Sequence, residues 1–116
     1  MISKELIKGS LRSIVLKLLS ENSRMYGYEM TQKVEDMSSG KIKLTFGALY
    51  PVLHKLENEG ALVTETEITN GRARIYYSLT PKGKNVAAEK VKELQEFIEM
   101  MGIMFKPGLN LQTCQG

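Results

Sequence analysis

The chain has 116 residues, 42% hydrophobic and 25% charged, the profile of one ordinary globular domain with a modest core. No apolar run reaches the ~18 residues a membrane span needs, and the opening MISKELIKGS, with Lys4, Glu5 and Lys8, leaves no signal-peptide core, so a cytoplasmic location is expected. The net charge is only +3, but residues 37–56 hold Lys41, Lys43 and Lys55 with no acid, and residues 68–88 hold Arg72, Arg74, Lys82 and Lys84 with none.

In chain order, Ile7, Leu11, Ile14, Val15 and Leu18 repeat at helical spacing, which predicts a helix from Ser3 to Leu19 with Ser3 as its cap. SENSR at 20–24 is a polar loop. Gly27 turns the chain into a second helix, with Glu29 favourably near its N-terminus and SSG at 38–40 as its end. KIKL at 41–44 alternates polar and apolar and predicts a short, half-buried strand.

The stretch TFGALYPVLHKLENEG follows. Leu49, Val52, Leu53 and Leu56 fall at i, i+3, i+4 and i+7, Thr45 is a natural N-cap and Gly60 a natural stop, which predicts a helix over 45–59. Pro51 lies inside it, where it removes one backbone hydrogen bond and crowds the carbonyl of Gly47, a cost of ~3 kcal/mol. The apolar face continues on both sides of the proline, so the helix is expected to run through with a kink. The alternative is that Pro51 is the first helical residue and 46–50 form a separate turn.

LVTETEI (62–68) and ARIYYSL (73–79) are β-branched and aromatic, and the Asn-Gly between them is a strong hairpin signal. Ile75, Tyr77 and Leu79 share one face of the second strand, and Arg74, Tyr76 and Ser78 the other. Thr80-Pro81 caps and starts a last helix of about 24 residues, ~36 Å long, ending near Met104 before Lys106-Pro107-Gly108. The fold class is therefore mostly α with a small β-hairpin: a winged helix-turn-helix over 1–80, an added C-terminal helix over 81–105, and a polar tail, expected to be disordered, over 106–116.

Three segments go beyond a generic winged helix. YGYEM at 26–30, GALYPVLHKLENEGAL at 47–62 and GRARIYYSLTPKG at 71–83 resemble the signature segments of the PadR-like transcriptional regulators, over roughly Leu11 to Lys84. With a single C-terminal helix the chain resembles the short subfamily. The resemblance implies a dimeric, DNA-binding repressor, in some relatives responsive to small hydrophobic or phenolic molecules. The chain has no tryptophan, so a stacking role for an interface tryptophan does not carry over.

On this layout the third helix would be the recognition helix and TNGR the wing tip. Lys43, Thr45 and the backbone amides of Phe46, Gly47 and Ala48 lie at the N-terminus of that helix, where free N–H groups and the dipole attract phosphate. Tyr50, Pro51, His54, Lys55 and Glu57 lie opposite its apolar face. Arg72 at the wing tip is a candidate for a minor groove or a phosphate. Arg74 either joins it or pairs with Glu65 or Glu67 across the hairpin. The partner expected is double-stranded DNA with a pseudo-palindromic operator.

Ala87, Val91, Leu94, Ile98, Met101 and Phe105 repeat with 4-3-4-3-4 spacing, a heptad seam too long for this small domain to cover, and so a homodimer interface. Leu94, Phe97, Ile98 and Met101 make a candidate pocket for a small hydrophobic ligand, since methionine-rich surfaces adapt to varied partners; interface core is the plainer reading of the same residues.

Catalysis is not expected. His54 stands alone without the second histidine or cysteine a metal site needs, Cys114 lies in the tail, and no phosphate-binding glycine loop occurs, so no cofactor is expected. Glu57, Glu59, Glu65 and Glu67 read as solvated charges. The competing function is a winged-helix module for protein–protein contact, which would call for an acidic or apolar recognition face.

Overall fold

In the computed structural model, which describes residues 2–107, four helices and three short strands follow the order α1 (Lys4–Glu21), β1 (Met25–Tyr26), α2 (Gly27–Met37), α3 (Phe46–Asn58), β2 (Leu62–Thr69), β3 (Arg72–Leu79) and α4 (Pro81–Met104). Helix α1 is the hub. Its Leu11, Val15, Leu16 and Leu18 are almost wholly buried, and they meet Met30 of α2 and Leu49, Leu53 and Leu56 of α3. The apolar periodicity of α1 and α3 is thus the core itself, and burial of such side chains is worth roughly 1.5–3 kcal/mol each.

The helix starts follow cap chemistry. Ser3, Thr45 and Thr80 each stand just before a helix in extended backbone, and their hydroxyls accept the amides of Leu6, Ala48 and Gly83. At α2 the Glu29 carboxylate accepts the amide of Tyr26 at 3.0 Å, which satisfies one free donor of the first turn.

Strands β2 and β3 pair antiparallel from Leu62 opposite Leu79 to Thr69 opposite Arg72. Asn70 and Gly71 close the hairpin with φ of 52° and 75°, the two left-handed residues that a type I′ turn demands. The sheet order is β1-β3-β2, with Met25 opposite Tyr77 and Tyr26 opposite Tyr76.

One expected element does not form. Residues 41–44 are not a strand, and the third strand is Met25–Tyr26 instead, ahead of α2. The alternation in KIKL does reflect burial, since Leu44 is buried and Ile42 packs half-buried on the core. It pairs with no strand: β1 takes the side of β3 opposite β2, and residues 41–44 run outside the sheet. Its backbone is met locally: the Ile42 amide donates to the Ser38 hydroxyl at 2.9 Å, and the Lys41 carbonyl accepts the amide of Ile2 at 2.9 Å.

Helix α4 is anchored at its root. Gly83 packs so closely on the α3–β2 corner that a Cβ there would lie 1.9 Å from the carbonyl oxygen of Ala61. The Thr80 amide donates to that same oxygen at 3.0 Å, and the Thr80 hydroxyl donates to the Gly60 carbonyl at 2.6 Å. Lys82 Nζ donates to the Glu59 carbonyl at 2.8 Å. From this root α4 runs along α1 and on toward the far end of a molecule 66 Å long.

Candidate nucleic-acid interface

Helix α3 is continuous from Phe46 to Asn58 with Pro51 in its interior, so the alternative of Pro51 as a helix start does not hold. Leu49, Leu53 and Leu56 are buried and Val52 packs half-buried against them, as the spacing requires. Phe46, Gly47, Ala48, Tyr50, Pro51, His54 and Lys55 are exposed, as are Lys43 and Thr45 ahead of them. Phe46, Tyr50 and His54 form a row of rings on this side, with centroids 5.6 Å and 6.3 Å apart.

The start of α3 differs in one respect from the expectation. The Ala48 amide already donates to the Thr45 hydroxyl at 3.2 Å, which leaves the amides of Phe46 and Gly47 as the ones ahead of the first intrahelical bond. The proline ring likewise leaves the Gly47 carbonyl without its usual helical donor.

In the wing, Arg72 is exposed at the first position of β3, beside the turn. Arg74 pairs with neither carboxylate of β2. Arg24, just before β1, takes both: its guanidinium meets Glu65 at 2.7 Å and Glu67 at 2.8 Å, and lies 3.9 Å over the ring of Tyr76. Those hydrogen bonds, that to Glu67 foremost, raise its pKa further above an already high value. Tyr76 meets Tyr26 edge to face at 5.3 Å, and Arg74 stands 4.7 Å over Tyr26. An Arg–Tyr–Tyr–Arg ladder therefore crosses the outer face of the sheet, and Arg74 keeps its charge free for an outside partner among the described residues.

Helix α3 and the β2–β3 wing meet at one shallow groove of about 200 Å³. Phe46 and Tyr50 line it from α3, Arg74 and Ile75 from the wing, Tyr26 from β1 and Tyr28 from the start of α2. Gly27 allows the fit, since a Cβ there would stand 3.1 Å from the Tyr50 hydroxyl.

The remaining acids are not merely solvated. Glu59 pairs with Arg12 of α1 at 2.6 Å, which holds its carboxyl below the usual range. Glu57 accepts a hydrogen bond from Thr64 at 3.4 Å. Sequence reasoning missed Arg24 and Arg12 because their partners lie 43 and 47 residues away. The signal for the first was Glu65 and Glu67 on one strand face, an acidic pair that calls for a cation.

Along α4, Ala87 is buried and Val91, Leu94 and Met101 are half-buried, while Ile98 and Phe105 are exposed. Phe97, Met100, Ile103 and Met104 are exposed too. A cleft of about 370 Å³ runs between α4, α1 and the end of α2. Leu94 and Ile98 line it together with Ile14, Leu18, Val34 and Met37; Phe97 and Met101, the other two candidate pocket residues, do not. Cys114 and most of the 106–116 tail lie outside the described residues.

Residues 15–89 match the family model of the transcriptional regulator PadR-like family. The chain belongs to that family. It is 33% identical to the transcriptional regulator Rv3488 of Mycobacterium tuberculosis over 85% of this chain and 90% of the relative. Among solved structures, a transcriptional regulator from Clostridium thermocellum superposes with a TM-score of 0.74 at 25% identity, over 90% of this chain and 99% of the other. A PadR-family regulator from Eggerthella lenta gives 0.72 at 27% identity, over 90% and 88%. The PadR-like family and these relatives are transcriptional regulators rather than enzymes. Among the described residues no helix is long and apolar enough to cross a membrane, and no three His, Cys, Asp or Glu side chains gather as a metal site would need.

Proposed function

We propose that this PadR-like chain is a sequence-specific, double-stranded-DNA-binding repressor of the cytoplasm that acts as a homodimer on a pseudo-palindromic operator. The observation that carries the reading is the groove that joins α3 to the wing. One surface there combines the exposed face of α3, free of acids from Lys43 to Lys55, with Arg74, which makes no ion pair among the described residues. Lys43, Thr45 and the amides of Phe46 and Gly47 would hold backbone phosphate. Tyr50, Pro51, His54 and Lys55 would face base edges, with Ala48 small enough to let the helix come close. Arg72 and Arg74 would follow the wing onto the flanking groove.

Residues 1–80 form the DNA-binding unit in this reading, and 81–105 the dimerisation helix. The exposed apolar stripe from Phe97 to Phe105 would be covered by a second copy, because an isolated chain leaves it in water. A second element of the reading rests on the apolar cleft beside Leu94 and Ile98, which is large enough for a small hydrophobic or phenolic effector whose binding relieves repression.

The test is fluorescence anisotropy with duplex DNA over a salt series, followed by footprinting on the DNA upstream of the chain's own gene. A repressor should lose affinity steeply with salt and protect two half-sites about 34–36 Å, one helical turn, apart or a multiple of it. A protein–protein module would show neither, and that result would overturn the reading.

A further inference from the structure

Two lysines near the start of α1 stand where local energetics oppose them. Lys4 is the first residue of the helix and Lys8 lies four residues on. Lys4 therefore sits at the positive end of the helix dipole, and the i, i+4 spacing sets Lys8 beside it as a like charge. Glu5 is the one acid in that first turn. The later cations of α1 are compensated, Arg12 by Glu59 at 2.6 Å and Lys17 by Glu21 at 3.2 Å. Among the described residues Lys4 and Lys8 make no such ion pair.

The fold brings these two lysines to a third. Lys4, Lys8 and Lys43 stand around one cleft of about 510 Å³, whose interior is largely apolar and whose opposite wall includes Thr45, Gly47 and Ala48 at the start of α3. The hydrogen bond from the Ile2 amide to the Lys41 carbonyl ties the entry of α1 to the segment that leads into α3, so the two walls are held together. Gly47 leaves the cleft open, since a Cβ there would meet nothing closer than 4.0 Å. Two cations of α1 and one from the segment before α3 thus meet beside the exposed end of α3 with no acid among the residues that line the cleft. Residues that break a local rule in this way tend to answer to function.

We propose that this cleft is a second seat for the DNA backbone, in which Lys4 and Lys8, with Lys43, hold phosphodiester groups of the strand flanking the bases that α3 faces. Ammonium groups act here as point charges; they position the duplex and carry no sequence information. The inference rests on the DNA-binding reading above and adds α1 to the contact surface. An acidic protein partner would meet the same cations, and the experiment separates the two.

The full chain and its Lys4→Gln/Lys8→Gln variant are titrated against a 30-base-pair mixed-sequence duplex at several salt concentrations. Each phosphate contact contributes about 0.9 to the slope of log affinity against log salt. The variant should lose one to two units of slope per protomer, and Lys4→Arg/Lys8→Arg should restore them. Lys17→Gln, which removes a paired lysine of the same helix, should leave the slope as it is. The glutamines relieve the repulsion along α1, so melting temperature should hold or rise, which separates a lost contact from a lost fold. A steep parental slope that the double variant retains overturns this seat and leaves the DNA-binding reading standing, with a protein partner as the remaining use of the cations. A loss with Lys17→Gln of half that of the double variant, one charge against two, overturns it as well, as a mere effect of net charge. A parent that shows no salt-dependent binding overturns both readings.

Discussion

Replacing Gly83 by alanine should loosen the joint between α4 and the rest of the fold. The new Cβ would fall 1.9 Å from the Ala61 oxygen, 2.9 Å from its carbonyl carbon and 3.2 Å from its Cα, where ordinary contact begins at 3.4 Å. About 1.5 Å of separation must therefore be found, and the obstacles are backbone atoms that cannot rotate aside. Overpacking of this kind costs ~1–3 kcal/mol. The same shift strains the Thr80 bonds to Gly60 and Ala61, each worth about 1 kcal/mol net. Helix propensity returns at most ~1 kcal/mol, so the net loss is about 2–4 kcal/mol. That corresponds to a fall in melting temperature on the order of 10 °C. Gly9→Ala is the control, because Gly9 lies within α1 with nothing inside 4 Å, and it should gain roughly 0.5–1 kcal/mol. Urea melts at one fixed protomer concentration measure both. A Gly83→Ala chain that melts at or above the parent would refute the argument from close approach.

Three further outcomes are expected. Leu94→Glu with Ile98→Glu should place charges in the α4 seam and give monomers in sedimentation; an unchanged dimer would put the interface elsewhere. Arg72→Ala should weaken DNA binding and lower the salt slope by about one unit, and an identical slope would mean that the wing tip stays clear of DNA. Pro51→Ala should restore one backbone bond in the middle of α3 and keep or raise the melting temperature, while operator affinity falls because the first turns of the helix, with Gly47 and Ala48, are re-aimed. A destabilised Pro51→Ala chain with parental affinity would sink that account.

What could be read from the chain followed local physics. The caps at Ser3, Thr45 and Thr80, the Asn70-Gly71 turn and the apolar faces of α1 and α3 each depend on a few neighbouring residues, and they form where the sequence expects them. Pro51 inside α3 was legible for the same reason, since Leu49 and Leu53 straddle it on one face. The strand expected at 41–44 failed because burial and pairing are separate properties. Ile42 and Leu44 have the alternation of a strand, but the sheet edge went to Met25–Tyr26, a pair too short to carry any pattern. The partner of Glu65 and Glu67 was hidden for a related reason, as Arg24 reaches them only after β1 docks beside β3. Gly83 gave no warning in Pro-Lys-Gly, because the demand for a missing Cβ comes from a carbonyl on another element.

The close fit at Gly83 also makes α4 a lever. The helix has 24 residues, about 36 Å of nearly rigid rod; it packs along α1, and its root is fixed against the residues that close α3. A tilt of about 5° carries the far tip of such a rod through about 3 Å. Read in reverse, a shift of that size at Met104 asks for only a few degrees at Gly83. With no slack between Gly83 and Ala61, a turn of the helix at its root would press on the corner. Glu59 and Gly60 are part of the corner and lie at the end of α3, and the Arg12–Glu59 pair ties that corner to α1. The two ends of the molecule are thus joined by one stiff element, which meets the rest of the fold along α1 and at the tight Gly83 corner.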